Sequence, residues 1–172
     1  MNAESRLGAS RQARFEALLD GHAGIVMRVV RTYCRQADDQ QDLAQEIKLE
    51  LWRAFAKYDE RRTFSTWMYR IALNVAISWL RRSGTRNRQL TPLQDAHRIA
   101  APAESDDNLQ TLYRLIDGLD PLNRALLLLY MDDLKHTEIG EILGITPVNV
   151  ATKISRLKQQ LRQQATESKA NT

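Results

Sequence analysis

The sequence predicts an all-α protein of two small helical domains joined by a flexible linker. Apolar residues recur at three- and four-residue spacing along most of the chain, which is the period of an amphipathic helix. Seven glycines and four prolines are few for 172 residues. The stretch from Ser83 to Ser105 lacks this period and contains several turn dipeptides. We therefore place the domains at residues 10–83 and 106–165, with the linker at 84–105.

Four helices are predicted for the first domain. Their apolar stripes place them over Ser10–Asp20, over Ala23–Cys34, from a cap at Asp38 or Asp39 to near Ala56, and over Phe64–Arg82. The inward residues of the first two helices are predicted to be Phe15, Leu18, Leu19, Ile25, Val26, Val29, Val30 and Tyr33. Because the segment before Ser10 is polar, we expect no signal peptide.

The third helix has two apolar sides. Its core stripe consists of Leu43, Ala44, Ile47, Leu51 and Phe55. On the opposite side, Leu49 and Trp52 are neighbours of Asp42, Gln45 and Glu46. Such a helix is either sandwiched between other helices or presents one side to a partner, and carboxylates around an aliphatic side chain suit a basic partner. Periodicity leaves burial and docking equally open.

The loop from Lys57 to Thr63 and the fourth helix combine basic and aromatic residues. The main apolar stripe of the helix is predicted to be Phe64, Trp67, Met68, Ile71, Val75 and Trp79. On another face, Arg70, Asn74 and Arg81 project within about 40° of one another. This combination suits single-stranded nucleic acid, whose bases stack on aromatic rings while guanidinium groups hold phosphates. The alternative is that both tryptophans are core residues, which we favour for Trp79.

The second domain is predicted to begin with a helix at Asp106 that ends near Leu119. Its inward residues are Leu109, Leu112, Tyr113, Leu115, Ile116 and Leu119. Asp120 then caps a helix that Pro121 opens and that ends near Met131. The last helix is predicted to continue to about Gln164, with a frayed tail from Thr166.

Residues 137–150 have the signature of a helix-turn-helix. Gly140 permits close helix–helix packing, and Gly144 supplies the left-handed backbone that ends the first helix. Thr146 caps the second helix, and Pro147 occupies its first turn. The inward positions of both helices are Ile139, Leu143, Ile145, Val150, Ile154 and Leu157.

The second helix of this motif presents a polar face made of Asn149, Thr152, Lys153 and Arg156. A helix presented in this way reads the major groove of DNA. The alternative is an ordinary helical hairpin in a bundle.

The net charge of +4 is unevenly distributed. Residues 61–98 contain eight arginines and one acid, whereas residues 38–60 contain seven acids and three bases. A final basic stretch holds Lys153, Arg156, Lys158 and Arg162. The alternation predicts two contacts with a polyanion and an acidic surface for another partner, although a solvated face explains any single block.

The sequence gives little support for other classes of protein. Cys34 is the single cysteine, which excludes a disulfide framework, fits a reducing cytoplasm and predicts a small buried side chain. No apolar run approaches the ~20 residues that span a membrane. The three histidines lack metal-ligand spacing, and no phosphate-binding loop or catalytic motif is present, so we expect no cofactor, no metal and no catalysis.

Two stretches together resemble a known family. Asp42–Glu46, Leu51–Phe55, Phe64–Asn74 and Trp79–Arg82 are similar to conserved region 2 of bacterial sigma factors, and Leu119–Leu161 is similar to region 4. The length leaves no room for regions 1 and 3, as in the extracytoplasmic-function (ECF, group 4) factors. The resemblance implies a protein that binds core RNA polymerase and directs promoter-specific transcription initiation.

The resemblance also implies site residues. The β′ coiled coil of core polymerase would contact Asp42, Gln45, Glu46, Leu49 and Trp52. The melted minus-ten element would be held by Tyr58, Arg61, Arg62, Arg70, Asn74 and Arg81. The minus-thirty-five duplex would meet Asn149, Thr152, Lys153, Ser155 and Arg156, beside the polymerase β flap. An anti-sigma factor commonly silences members of the family.

Four positions depart from the family pattern and affect what carries over. Ala151 stands where a basic residue is common, and Thr152 and Ser155 occupy positions that are often basic or aromatic, so promoter preference does not transfer. Gly140 replaces the usual alanine, at a predicted cost of about 1 kcal/mol in that helix.

The alternatives to a sigma factor are a stand-alone helix-turn-helix regulator acting as a dimer, a nucleic-acid-processing enzyme and a non-DNA adaptor bundle.

Overall fold

The computed structural model describes residues 3–89 and 115–170. Every regular element within these ranges is an α-helix, which confirms the predicted fold class. In chain order the helices are α1 (Ala3–Gly21), α2 (Ala23–Tyr33), α3 (Ala37–Phe55), α4 (Phe64–Gln89), α5 (Pro121–Met131), α6 (His136–Leu143) and α7 (Pro147–Ala170). The chain divides into two compact units, Met1–Leu80 and Arg81–Thr172, which we call the N-terminal and C-terminal units.

The core of the N-terminal unit is formed by the inward sides of α2, α3 and α4, together with Phe15 of α1. The predicted inward residues of α2 and α3 are all buried, because helical spacing places them on one side of each helix. On α1 the prediction is only partly right, since Leu18 and Leu19 are half-buried. A hydrogen bond from Arg28 Nη2 to the Tyr69 hydroxyl, at 3.2 Å, joins α2 to α4.

The boundaries of α1, α3 and α4 differ from the predictions. α1 begins at Ala3 rather than Ser10, and α4 continues through residues 84–89, which the sequence predicts to be linker. Neither Asp38 nor Asp39 caps α3: its cap is Gln36, without a side-chain hydrogen bond, and both carboxylates lie in the first turn. There they interact favourably with the positive end of the helix dipole, so an acid near a helix start does not identify the cap.

The buried side of α4 also differs from the predicted stripe. The buried residues are Phe64, Thr66, Met68, Tyr69, Ala72, Leu73 and Ala76. Four residues of the predicted stripe, including the favoured core residue Trp79, are only half-buried: Trp67, Ile71, Val75 and Trp79. Hydrophobic periodicity gives weight to large side chains, whereas two of the residues buried on this helix are alanines.

Cys34 follows α2 and is buried, as the sequence predicts. Burial, assisted by the negative charge of Asp39, raises the pKa of its thiol to about 11. The thiol is therefore protonated at neutral pH and has little nucleophilic character. The Gln40 side chain donates to the Cys34 carbonyl oxygen at 3.0 Å, which links the end of α2 to the first turn of α3.

The C-terminal unit begins, in its described part, with residues 115–117 in helical conformation and a buried Leu119. The rest of the helix predicted from Asp106 lies outside the described residues. Asp120 caps α5 as predicted, since its Oδ1 accepts from the backbone N–H groups of Leu122 and Asn123 at 3.1 Å. Arg124, whose side chain is 11% exposed, donates to the carbonyl oxygens of Asp117 and Leu119 and so secures the entry to α5.

The turn between α6 and α7 confirms the predicted roles of Gly144 and Thr146 and corrects that of Gly140. Gly144 has φ = +71°, the left-handed conformation that glycine adopts without strain. Thr146 Oγ1 accepts from the Asn149 N–H at 3.2 Å and caps α7. Gly140 allows a close approach, but to the turn rather than to a helix: a Cβ there would lie 2.6 Å from the Ile145 carbonyl oxygen.

Most of the predicted inward positions of α6 and α7 are buried. Ile139, Val150, Ile154 and Leu157 form this core together with Ile142. Leu143 and Ile145 are half-buried, because the chain turns away from the core at the end of α6. α7 extends to Ala170, beyond the predicted end near Gln164.

Gly140→Ala should destabilise the C-terminal unit, although alanine is the better helix former. The added Cβ would clash with the Ile145 carbonyl oxygen, which belongs to the backbone and cannot rotate away. We expect this clash to outweigh the propensity gain of about 1 kcal/mol and to lower the free energy of unfolding by about 1–2 kcal/mol. Native-state hydrogen exchange at the amides of α6 and α7 measures the change.

Gly21→Ala is the matched control, because a Cβ at Gly21 meets no atom within 4 Å. The local stability around residue 21 should be unchanged or higher in Gly21→Ala than in the wild-type chain. If the amides of α6 and α7 exchange no faster in Gly140→Ala than in the wild type, the turn relaxes to accommodate the added methyl group.

Candidate nucleic-acid and partner interfaces

The outward face of α3 carries the predicted polymerase contacts. Asp42 and Gln45 are exposed, and Leu49 is 47% exposed, which is high for a leucine in a packed unit. Glu46 and Trp52 are half-buried. We call this set the α3 face: Asp42, Gln45, Glu46, Leu49 and Trp52. It lies opposite the buried stripe of the same helix, so a partner could reach Leu49 without disturbing the core.

One edge of the α3 face is covered by α1. The Phe15 ring lies 5.3 Å from the Trp52 ring, and the Arg11 guanidinium lies 4.6 Å from the centre of the Trp52 ring. The contact is a cation–π interaction in a partly exposed position. Burial within the unit therefore accounts for Trp52, whereas Leu49 is exposed and docking of a partner there stays a prediction.

The loop after α3 is ordered by an aromatic cluster. The Tyr58 ring stacks on Phe55 with centroids 5.9 Å apart, and it lies 4.9 Å from the Trp67 ring and 5.5 Å from the Phe64 ring. The Tyr58 hydroxyl donates to the Arg62 carbonyl oxygen at 2.7 Å. Burial, and then the nearby Glu60 carboxylate, raise the pKa of Tyr58. Tyr58 thus fixes the loop conformation in addition to its predicted contact with DNA.

The same loop contains an internal ion pair. The Arg61 guanidinium donates to both carboxylate oxygens of Asp59, with Nε–Oδ1 at 3.0 Å and Nη2–Oδ2 at 2.8 Å. These hydrogen bonds lower the pKa of the Asp59 carboxyl and raise the pKa of Arg61. A second pair, Arg14 with Glu60 at 2.6 Å, joins the loop to α1. Exposed pairs of this kind contribute little stability, so a phosphate can replace the carboxylate at small cost.

The outward face of α4 presents the predicted polar cluster. Arg70, Asn74 and Arg81 are all exposed, which agrees with their common side of the helix. Trp67, for which the sequence leaves a core position and base stacking open, is half-buried. Its seven-residue spacing projects it within about 20° of Asn74, so a base-stacking role stays a prediction. We call Tyr58, Trp67, Arg70 and Asn74 the α4 face: half-buried rings next to exposed hydrogen-bonding and cationic groups. Arg81, further along the same helix, is the first residue of the C-terminal unit.

The exposed face of α7 carries the residues predicted to bind duplex DNA. Asn149, Thr152, Ser155 and Arg156 are exposed, whereas Lys153 is half-buried and lies at the edge. The Thr152 hydroxyl donates to the Val148 carbonyl oxygen at 3.0 Å. From the final basic stretch, Lys158 is engaged with α5, because its Nζ lies 4.2 Å from the centre of the Tyr130 ring and donates to the Tyr130 hydroxyl.

Two other kinds of site are absent from the described part of the chain. None of the helices in that part combines the length and the hydrophobicity that a membrane span requires. Within residues 3–89 and 115–170, no cluster of histidine, cysteine, aspartate and glutamate side chains could hold a metal ion.

Two family matches cover most of the chain. Sigma-70 region 2 matches residues 18–86, and sigma-70 region 4 matches residues 109–161. Both DNA-binding candidates, the α4 face and the exposed side of α7 with Asn149, Thr152, Ser155 and Arg156, fall within these matches. The chain belongs to the sigma-70 family and, by its curated relatives, to the ECF RNA polymerase sigma factors. A stand-alone helix-turn-helix regulator is not favoured, because region 2 is matched as well as region 4.

Two curated relatives illustrate the similarity. The ECF RNA polymerase sigma factor SigE of Mycolicibacterium smegmatis is 31% identical over 159 residues, which cover 86% of this chain and 60% of that protein. The ECF RNA polymerase sigma factor SigW of Bacillus subtilis is 28% identical over 168 residues, 89% of each chain. The chain thus spans about three fifths of the mycobacterial protein and most of the Bacillus protein.

Two solved structures share the fold. CnrH, in complex with the cytosolic domain of CnrY, has a TM-score of 0.68 at 20% identity, covering 99% of this chain and all of that one. The sigma factor RpoE from Bartonella quintana, in complex with the anti-sigma factor NepR, has a TM-score of 0.65 at 17% identity and covers 90% of this chain and 96% of that one. At these identities the likeness concerns the fold alone.

Asp59→Asn should strengthen binding of single-stranded DNA. The substitution removes the carboxylate that engages Arg61 and leaves the guanidinium available to a phosphate. One added phosphate contact steepens the salt dependence by about 0.7 and raises affinity about fivefold near 0.1 M salt. Fluorescence anisotropy with a labelled oligonucleotide over a salt series measures both quantities.

Glu50→Gln is the matched control, because it also removes one negative charge and one partner of an arginine, Arg53, but on α3. It should leave the salt slope unchanged. Equal slopes for wild type and Asp59→Asn would mean that Arg61 makes no phosphate contact.

Proposed function

We propose that this chain binds core RNA polymerase and directs it to selected promoters, with the N-terminal unit holding the melted minus-ten element and the C-terminal unit reading the minus-thirty-five duplex. One observation carries the proposal: a single chain presents an aromatic and basic face suited to unpaired bases and an exposed recognition helix suited to a major groove. Catalysis is not part of the proposed role, and the site of action is the cytoplasm, where the polymerase works.

The α3 face is the proposed contact with the β′ coiled coil. Leu49 offers exposed apolar area, while Asp42 and Gln45 beside it provide a charged and polar rim. An apolar centre within a polar rim is the usual anatomy of a protein interface. The acidic side chains favour a basic partner and exclude nucleic acid from this side of the unit.

The α4 face is the proposed holder of an extruded minus-ten base. Flipping a base out of the stack costs a few kcal/mol, and stacking on an aromatic ring returns about 1–3 kcal/mol. Tyr58 and Trp67 supply the rings, and the Asn74 amide can pair with a base edge. Arg70 and Arg81 on the same side can hold the phosphates, with Arg61 and Arg62 from the loop.

The exposed side of α7 is the proposed reader of the minus-thirty-five element. Asn149 and Arg156 can bond to base edges or phosphates, and Thr152, Lys153 and Ser155 complete the set. The α7 N-terminus adds the partial positive charge that favours a phosphate. We also propose that a flank of this unit meets the polymerase β flap. An anti-sigma factor would mask the protein until it is needed, and the complex of RpoE with the anti-sigma factor NepR supports such a partner for this fold.

Transcription with purified core polymerase tests this function. The wild-type chain should convert core enzyme into a holoenzyme that gives run-off transcripts from a subset of a promoter library. The isolated chain should bind the same promoters poorly, because each unit contributes a weak contact that becomes effective when polymerase fixes both. Asn74→Ala should reduce open-complex formation, followed by permanganate reactivity of unpaired thymines, about tenfold.

Gln12→Ala is the control for that variant, because it removes an exposed amide on α1 that donates to the Glu16 carboxylate. Tight specific duplex binding by the chain alone, as a dimer, would favour a stand-alone regulator. Unchanged promoter opening by Asn74→Ala would remove this residue from the site.

Leu49→Asp should weaken association with core polymerase while the fold is retained. The leucine is 47% exposed, so a charge there costs the isolated unit little, but it would be buried without a partner in the complex. We expect at least a roughly tenfold loss of affinity in a competition assay against the wild-type chain. Met27→Asp, at an apolar residue of α2 that is 36% exposed, controls for the added charge and should bind normally.

A further inference from the structure

Val148 is the most exposed of the large apolar side chains in the described part of the chain, at 74%. It is the second residue of α7. Of the other branched apolar residues of this helix, Val150, Ile154 and Leu157 are buried and Leu161 is half-buried. Internal packing therefore does not explain the valine, and a free helix would lose nothing by carrying a polar residue there.

The position of Val148 is at the centre of the outward side of α7. It projects about 160° away from the buried Val150 and within about 40° of Thr152 and Ser155. Asn149 and Arg156 lie further round the helix, towards one edge. Because α7 begins at Pro147, Val148 also lies at the end of the helix that reaches furthest towards base edges in a helix-turn-helix.

The surroundings of Val148 make this part of the helix rich in methyl groups. Thr152 uses its hydroxyl hydrogen on the Val148 carbonyl oxygen at 3.0 Å, which leaves its methyl group and oxygen lone pairs for a ligand. Ala151, also exposed, adds another methyl group beside them. A reader of guanine would need an arginine or lysine here, and none is present at these positions.

We propose that Val148 contacts the C5 methyl group of a thymine in the upstream promoter element and so selects thymine at that position. Thymine is the base that presents a methyl group in the major groove, and small apolar side chains recognise it. The inference rests on the proposed function, because it requires α7 to lie in a major groove. It adds a specificity determinant that is read through shape and hydration rather than through a hydrogen bond.

The test removes single methyl groups from the DNA. Holoenzyme is formed with the wild-type chain and a promoter selected from the library, and each thymine of the upstream element is replaced in turn by deoxyuridine. Affinity should fall about fourfold at one position, the effect expected of one methyl group that is no longer buried. With Val148→Ala, that same replacement should have no effect.

A second experiment on the same promoter adds a methyl group back to the DNA. Replacing the critical thymine by cytosine should weaken binding by the wild-type holoenzyme, and 5-methylcytosine should restore part of it. Met131→Ala is the matched control, because Met131 is also an exposed apolar side chain of the C-terminal unit but lies on α5. It should keep the full response to deoxyuridine.

The outcomes separate this inference from the function on which it rests. If the wild-type chain gives no promoter-specific transcription with core polymerase, the proposed function fails, and the inference fails with it. If transcription is specific but no thymine is sensitive to methyl removal, or if Val148→Ala is equally sensitive, only the inference is overturned. A loss of core binding by Val148→Ala would instead assign the valine to a protein contact.

Discussion

Both proposed surfaces of the N-terminal unit depend on the aromatic contacts that the buried Phe55 ring makes. Its ring lies 5.1 Å from Phe15 of α1, 5.9 Å from Tyr58 of the loop, and 6.3 Å from Trp67 of α4. Aromatic rings bury large areas and prefer tilted or offset contacts, which restrict the orientation of their neighbours. One buried ring at the end of α3 therefore fixes where α1 lies, how the loop is shaped and where Trp67 is held.

This arrangement explains how one small unit can serve two different partners. The α3 face and the α4 face are supported by the same cluster, on one side through Phe15 and Trp52 and on the other through Tyr58 and Trp67. Its apolar contacts give both faces a rigid base, while the loop between them carries exposed ion pairs that are weakly held. A phosphate can thus replace the Asp59 carboxylate as the partner of Arg61 without loss of the fold.

In the C-terminal unit, the structural requirement is different: one helix, α7, has to be held in a fixed orientation with its polar side exposed. The left-handed Gly144, the close approach at Gly140 and the Thr146 cap set the angle and the starting point of α7. Arg124 secures the other end of the core by satisfying backbone carbonyl oxygens before α5. In our proposal the two units then divide recognition between stacking on unpaired bases and contacts in a duplex groove.

The sequence by itself determined the helical class, most of the core of α2, α3, α6 and α7, the cap at Asp120 and the turn at Gly144, because these follow from periodicity and from local backbone chemistry. It also placed Arg70, Asn74 and Arg81 on one exposed side of α4 correctly, since the angle between two residues around a helix axis follows from their spacing in the sequence. The tertiary structure alone decided that Tyr58 and Trp67 share one cluster, that α1 covers Trp52 and that Val148 is left exposed. Each of these depends on which elements pack together, and contacts between different elements leave no period in the chain. The pairing of Asp59 with Arg61 depends on the conformation of one irregular loop, which has no period either.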